Sequence, residues 1–189
     1  MHVVVIASQK GGSGKTTLTG HLAIAAELAG QRPAVLIDTD PQGSLAAWWN
    51  VRTAESPAFA SSTVADLEKT LNDLKAAGYS LAFVDTPPAI AEAIKAVIEK
   101  ADFVLIPTRP SPHDLRAVGS TVGIVQQKAK PFAFVVTQSK PNTRLTVQAM
   151  AAHKRIRFLQ IFGTTWKGSS HYLVAVLEKL VAGHRGIAR

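Results

Sequence analysis

Lys10-Gly11-Gly12-Ser13-Gly14-Lys15-Thr16-Thr17 is the stretch whose residue types and spacing can do chemistry. Glycines let a backbone curl until consecutive N–H groups face one concavity, and such a concavity holds an anion. The stretch follows a valine-rich apolar run, His2–Ser8, and opens a helical pattern. A helix that begins here adds its unpaired N–H groups and its partial positive charge to the same concavity. Strand, glycine loop and helix in that order are the context a phosphate-binding loop requires. Gly11, Gly12, Ser13 and Gly14 then form the cradle. Lys15 reaches the β- and γ-phosphates, the Thr16 hydroxyl ligates Mg²⁺, and Thr17 is placed for an α-phosphate contact. A glycine-rich turn with no ligand is the structural alternative.

Phosphoryl transfer also needs a carboxylate near the metal and a group that orients the attacking water. Asp38 ends the apolar run Val35-Leu36-Ile37, and Asp85 ends Leu81-Ala82-Phe83-Val84. In an open α/β sheet, ligands bind at the carboxyl ends of strands, so both carboxylates fall where the phosphates belong. Asp85 suits a metal contact through a bound water; a turn cap is the plainer alternative.

The elements that must position these groups are legible as a rhythm. Short apolar runs are expected as strands at His2–Ser8, Ala34–Asp38, Leu81–Asp85, Phe103–Pro107 and Phe132–Thr137, with a sixth at Phe158–Phe162. Between them, three- and four-residue apolar spacing predicts helices over Lys15–Ala29, Val64–Ala77, Ala89–Lys100, His113–Gln127 and Leu145–Lys154, and a last one over Tyr172–Ala182. Ser62 or Thr63 is the expected cap of the second helix, and Asn50–Ser62 reads as a surface loop. Alternating strands and helices define an α/β protein with a mostly parallel twisted sheet and helices on both faces. The 189 residues suit one domain over 1–189.

The loop departs from the ordinary phosphate-loop pattern: Gln9 stands where a glycine is usual, and Lys10 is an extra cation at the loop's start. This KGGxGKTT form resembles the deviant Walker A loop of the ParA/MinD family of P-loop NTPases. Asp38-Thr39-Asp40-Pro41-Gln42 is similar to that family's first switch segment, and Asp85-Thr86-Pro87-Pro88 to its second. Ile106–Leu115 resembles the proline-rich segment of small ParF-like members, and Val135–Gln138 lies where members contact adenine, which nominates Gln138 for nucleotide binding. The resemblance covers nearly the whole chain. It implies ATP and Mg²⁺ as cofactors, with Lys15 and Asp40 as catalytic residues and Asp40 orienting the water. Thr16, Asp38 and Asp85 would surround the metal. Lys10 would act across an ATP-bound homodimer on the partner's phosphates; a solvent-facing lysine is the alternative.

Composition bears on partners. There is no cysteine, which excludes a disulfide scaffold, thiolate metal sites and an iron–sulfur reductase. No apolar stretch is long enough for a membrane span, and the N-terminus lacks a signal peptide's features, so a cytoplasmic protein is expected, and the resemblance implies that it is nucleoid-associated. Residues 1–137 hold 12 Lys/Arg and 12 Asp/Glu, whereas residues 138–189 hold 9 Lys/Arg and only Glu178. The net charge of +8 is therefore carried by the last quarter. A basic segment on a neutral body suggests a polyanion, and the resemblance implies non-specific DNA. Arg144, Lys154, Arg155, Arg157 and Lys167 are the candidate phosphate contacts; a solvated basic face is the alternative. The resemblance also implies an activating partner protein, ParB-like or otherwise. With no N-terminal helix-turn-helix before the first strand, operator binding is not expected. A MinD-like lipid-binding switch is the other reading of the family; it needs a basic amphipathic C-terminal helix, which Tyr172–Leu180 does not supply, so no membrane partner is expected.

Overall fold

Strand residues alternate between two faces, so an apolar run with no polar interruption must be covered on both. In β1 (His2–Ile6), Val3 and Val5 point into one core and Val4 and Ile6 into the other. The same division runs through β2 (Ala34–Asp38), β4 (Leu81–Asp85) and β5 (Phe103–Thr108). The computed structural model describes residues 1–88, 91–139 and 158–162. Within it these strands join β3 (Ala58–Ser61), β6 (Phe132–Ser139) and β7 (Phe158–Phe162) in one seven-stranded sheet of order β3-β2-β4-β1-β5-β6-β7. Every pairing is parallel. Helices α1 (Lys15–Leu28) and α2 (Ser44–Asn50) cover one face through Leu18, Leu22 and Leu45. The other face is covered by α3 (Leu67–Ala76), α4 (Ala91–Glu99) and α5 (Pro112–Gln127), through Leu67, Leu71, Ile94, Ile98, Val118 and Val125.

The expected fold class is therefore present, with two differences. Asn50–Ser62 is not wholly a loop: it holds β3, an edge strand on β2, and is preceded by the unexpected helix α2. The second expected helix begins at Leu67 rather than Val64, with Asp66 at the N-cap position. Thr63 Oγ1 accepts the Asp66 N–H at 3.1 Å and donates to its carboxylate at 2.6 Å, so Thr63 braces the turn before the helix. The helices expected at Leu145–Lys154 and Tyr172–Ala182 lie outside the described residues, as do all five basic candidates, Arg144, Lys154, Arg155, Arg157 and Lys167.

Strand register is what builds the site. Asp38 and Asp85 are direct register partners, and Ile6, the last residue of β1, is Asp85's partner on the other side. Three strands thus end together, and α1 crosses the face on which both carboxylates point. Helix α2 is locked to α1 by a close approach: a Cβ built on Gly20 would lie 2.8 Å from the Trp48 ring. Ordinarily a helical Gly→Ala change gains about 1 kcal/mol. Here the atom met is a rigid ring packed against the core, and overpacking costs about 1–3 kcal/mol. Gly20→Ala is expected to lower the denaturant midpoint; an unchanged or raised midpoint contradicts the packing described.

Candidate functional site

The glycine loop is shaped by two residues with positive φ, Gly12 at 68° and Gly14 at 93°. Gly14 is the N-cap of α1, so the helix's unpaired first-turn N–H groups open directly onto the loop. β6 braces the loop from behind. Thr137 Oγ1 donates to the Ser13 carbonyl at 2.8 Å, and Gln138 Nε2 donates to the Gly12 carbonyl at 3.2 Å. A Cβ on Gly14 would meet Thr137 at 3.4 Å. With the Gly12 and Ser13 carbonyls tied back to β6, the loop's other side faces a cavity. That cavity, about 470 Å³, is lined by Gly12, Gly14, Lys15, Thr16, Thr17, Ser44, Trp48 and Gln138.

Lys15 is buried beside the cavity, and burial lowers its pKa; Asp85 and Asp40 oppose that shift and favour its charged form. Thr16 Oγ1 donates to Asp85 Oδ2 at 2.6 Å, while Asp85 Oδ1 is buried with no hydrogen-bond partner. Burial pushes the Asp85 carboxyl up to about 7, with Asp38 and Asp40 adding to the shift and Thr16 and Lys15 opposing it. Ser13 Oγ is a second buried, unpartnered oxygen in the loop. Unpaired buried polar atoms are costly, so a cradle holding two of them beside a buried cation suits a ligand that supplies the missing partners. A hydroxyl and a lone-pair-bearing carboxylate side by side fit a hard divalent ion such as Mg²⁺, which takes a few protein oxygens and completes its shell with phosphates and water. No group of three or more His, Cys, Asp or Glu among the described residues is arranged to hold a metal unaided.

Asp85 carries a pH prediction for the ligand-free protein. Its folded pKa of about 7 stands above the ordinary 3.8, so the folded state holds a proton the unfolded chain has released. That contribution to stability is complete below about pH 4 and is lost as pH rises through about 7. The denaturant midpoint should fall over this interval relative to Asp85→Asn, which has nothing to titrate there. Parallel midpoints for the two proteins would refute the assigned protonation.

The first switch segment is held by backbone contacts. Asp38 Oδ2 accepts the Leu45 and Ala46 N–H groups, both at 3.1 Å, and Oδ1 accepts the Asp40 N–H at 3.0 Å. Gly43, at the N-cap of α2, has no side chain to do this, so the carboxylate ending β2 caps the helix instead. Burial raises Asp38's pKa, while these backbone donors stabilise its charge. Asp38 thus anchors the segment with both oxygens engaged, and what it brings to a metal's surroundings is its charge beside Asp85. Thr39 ties the two switches, its hydroxyl donating to the Asp85 carbonyl at 2.6 Å. Asp40 accepts the Gln42 N–H at 3.0 Å and lines an adjoining cavity of about 430 Å³ with Pro41, Ser62 and Thr63.

Lys10 is part-buried and does not line the cavity of its own loop. Its Nζ lies 2.6 Å from Asp114 Oδ1, on the first turn of α5. The structure thus brings together Lys15, Thr16, Asp85 and Asp40, sets Gln138 as a loop brace at the cavity wall, and turns Lys10 aside. Sequence reasoning did not single out Thr39, Thr137 or Asp114. Thr39 sits inside the switch motif and Asp114 in the proline-rich segment, so the signal was present; Thr137's brace depends on tertiary approach alone.

Residues 4–165 match the family model of the CobQ/CobB/MinD/ParA nucleotide-binding domain, and the chain belongs to that family. Among its relatives is the Maintenance of carboxysome distribution protein A of Halothiobacillus neapolitanus, 31% identical over 93% of this chain and 83% of that protein. The protein of the same name from Gloeobacter kilaueensis is 43% identical over 64% of this chain, which spans 55% of its length. The chromosome-partitioning ATPase Soj of Thermus thermophilus is 29% identical over 97% of this chain and 76% of its own. Partition and positioning proteins thus recur among the relatives. Among solved structures, the cobyrinic acid a,c-diamide synthase of Mycobacterium smegmatis, described with a bound ATP analogue and magnesium, superposes with a TM-score of 0.79 at 18% identity, covering 97% of both chains. The MinD cell division protein of Aquifex aeolicus gives 0.71 at 19% identity, over 100% of this chain and 98% of that one. Both share the fold.

Proposed function

We propose that this chain is an ATP-hydrolysing switch that closes into a dimer with ATP, binds DNA without sequence preference, and positions a cargo. The observation that carries the nucleotide chemistry is the pair Thr16–Asp85, with its unpartnered Oδ1, set against a glycine cradle and the buried Lys15. ATP and Mg²⁺ are the ligands this donor set suits. Thr16 and Asp85 would hold Mg²⁺, which would supply positive charge to offset the charge that develops during transfer.

The chain's own residues do the rest. The loop N–H groups and Lys15 hold the phosphates, and Thr16 and Asp85 hold the metal's protein side. Asp38 fixes the first switch so that Asp40 faces the terminal phosphate and orients a water. Lys10 of each subunit serves the partner's phosphates, so hydrolysis ends the dimer. Relatives named for carboxysome distribution and chromosome partitioning support a positioning role. The basic residues beyond 138 supply the DNA contacts, a ParB-like or other partner stimulates turnover, and the protein works in the cytoplasm on the nucleoid. Among the described residues no helix is long and apolar enough to cross a membrane.

Binding to random-sequence DNA with ATP, with ADP and without nucleotide tests the reading. Binding that requires ATP and weakens steeply with salt is the expected result. DNA binding indifferent to nucleotide, or ATP-dependent binding to anionic liposomes and not to DNA, overturns it.

A further inference from the structure

Of the polar clusters outside the nucleotide cradle among the described residues, the one at the start of α5 is built most completely. Ser111 is the N-cap of α5, and its hydroxyl accepts the Asp114 N–H at 3.1 Å while donating to the Asp114 carboxylate. Arg109 reaches Asp114 Oδ1 through Nε at 3.3 Å and through Nη2 at 3.2 Å. Lys10 makes the shortest ion pair to that same oxygen, at 2.6 Å. Asp114 is only 4% exposed. Burial alone would raise its pKa, but the hydrogen bonds from Lys10, Ser111 and Arg109 outweigh that and hold it below the ordinary range. Gln9 is tethered to the same helix, its N–H donating to Thr121 Oγ1 at 3.3 Å, so the start of the loop and α5 are in register.

The proline-rich stretch thus presents a carboxylate with more donors than it needs. If Lys10 leaves, Arg109, Ser111 and the helix N-terminus still compensate the buried charge. A carboxylate held only by Lys10 would resist losing it.

We propose that Asp114 is the resting partner of Lys10, a positioning residue that keeps this cation in its own subunit until a second subunit's phosphates take it over. The proposal rests on the dimer reading above. Dimer closure then exchanges one ion pair for another, and the Asp114 contact sets the threshold at which ATP-bound subunits associate. The loop lysine is withheld from its own cradle, so a lone subunit lacks a cation that the closed pair possesses.

Asp114→Asn keeps the shape and the Ser111 cap but gives up the charge. With the non-hydrolysable analogue AMPPNP and Mg²⁺, light scattering should show dimers forming at a protein concentration lower than the unmodified chain's by roughly 5-fold, the worth of one part-buried ion pair. In a Lys10→Gln background the same change should leave the threshold where Lys10→Gln alone puts it. A second readout needs no dimer: without nucleotide, acylation of the Lys10 amine, followed by mass spectrometry, should be several-fold faster in Asp114→Asn. Dimers at an unchanged or higher concentration, a shift that persists without Lys10, or unchanged acylation each overturns the resting-partner role while leaving the dimer reading intact. An unmodified chain that stays monomeric with AMPPNP overturns the dimer reading and the exchange with it.

Discussion

Lys15→Ala should weaken ATP binding at least about 100-fold, or about 2.7 kcal/mol. Two effects act in the same direction. The buried ammonium beside the loop cavity is lost, and Asp85 and Asp40, whose charge it offsets, would be left to repel a triphosphate bound there. Charge-assisted hydrogen bonds are among the strongest available to such a site. Titration calorimetry with ATP and Mg²⁺ checks the expectation, with a thermal melt to confirm folding. A folded variant that binds ATP within a few-fold of the unmodified protein would mean that the loop is not where the triphosphate sits.

Asp40→Ala should act on the other half of the cycle. Hydrolysis should fall by about 100-fold or more, the usual worth of a group that orients or deprotonates a nucleophile. ATP binding should survive, because the switch segment hangs on Asp38, whose contact to residue 40 uses that residue's backbone N–H and not its carboxylate. ATP bound without turnover should accumulate dimers. Gel filtration with ATP and Mg²⁺ reads this directly: a monomeric Asp40→Ala protein that still binds ATP contradicts the role given to Asp40.

Elements whose signals are local were legible. Val3–Ile6, Ala34–Asp38 and Leu81–Asp85 are continuous apolar runs, and continuous apolar character is what a strand covered on both faces requires. The loop was legible because glycine tolerates the positive φ seen at Gly12 and Gly14. Helix α2 escaped because its cap is Asp38, some seven residues before the first N–H it accepts, and Gly43 gives no local capping signal. β3 escaped because Ala58-Phe59-Ala60-Ser61 is short, half-buried and without a β-branched residue; its partner β2, not its own pattern, makes it a strand.

For the site, residue types were readable and partnerships were not. Asp85 was placed with the metal from its position after an apolar run, and its contact to Thr16 follows from α1 crossing the face on which it points. Asp38 was grouped with the metal, yet its oxygens are engaged by α2 and by Asp40. Lys10 looked like a cation with no partner in its own chain. That Asp114, on the far side of β5 in sequence, would be 2.6 Å away depends on the β1–β5 pairing and on no local pattern.

The proposed switch depends on a cation that crosses from one subunit to the other, and mixing two inactive proteins tests it most directly. Lys10→Ala lacks the cation, and Asp40→Ala lacks the carboxylate proposed to orient the water. In a mixed dimer one site keeps Asp40 from the first subunit and receives Lys10 from the second, while the other site has neither. Random mixing of a two-fold dimer makes half the dimers mixed with one competent site in two, so about a quarter of the unmodified hydrolysis rate should return. Mixtures no faster than either variant alone would show that Lys10 serves its own subunit and contradict the account.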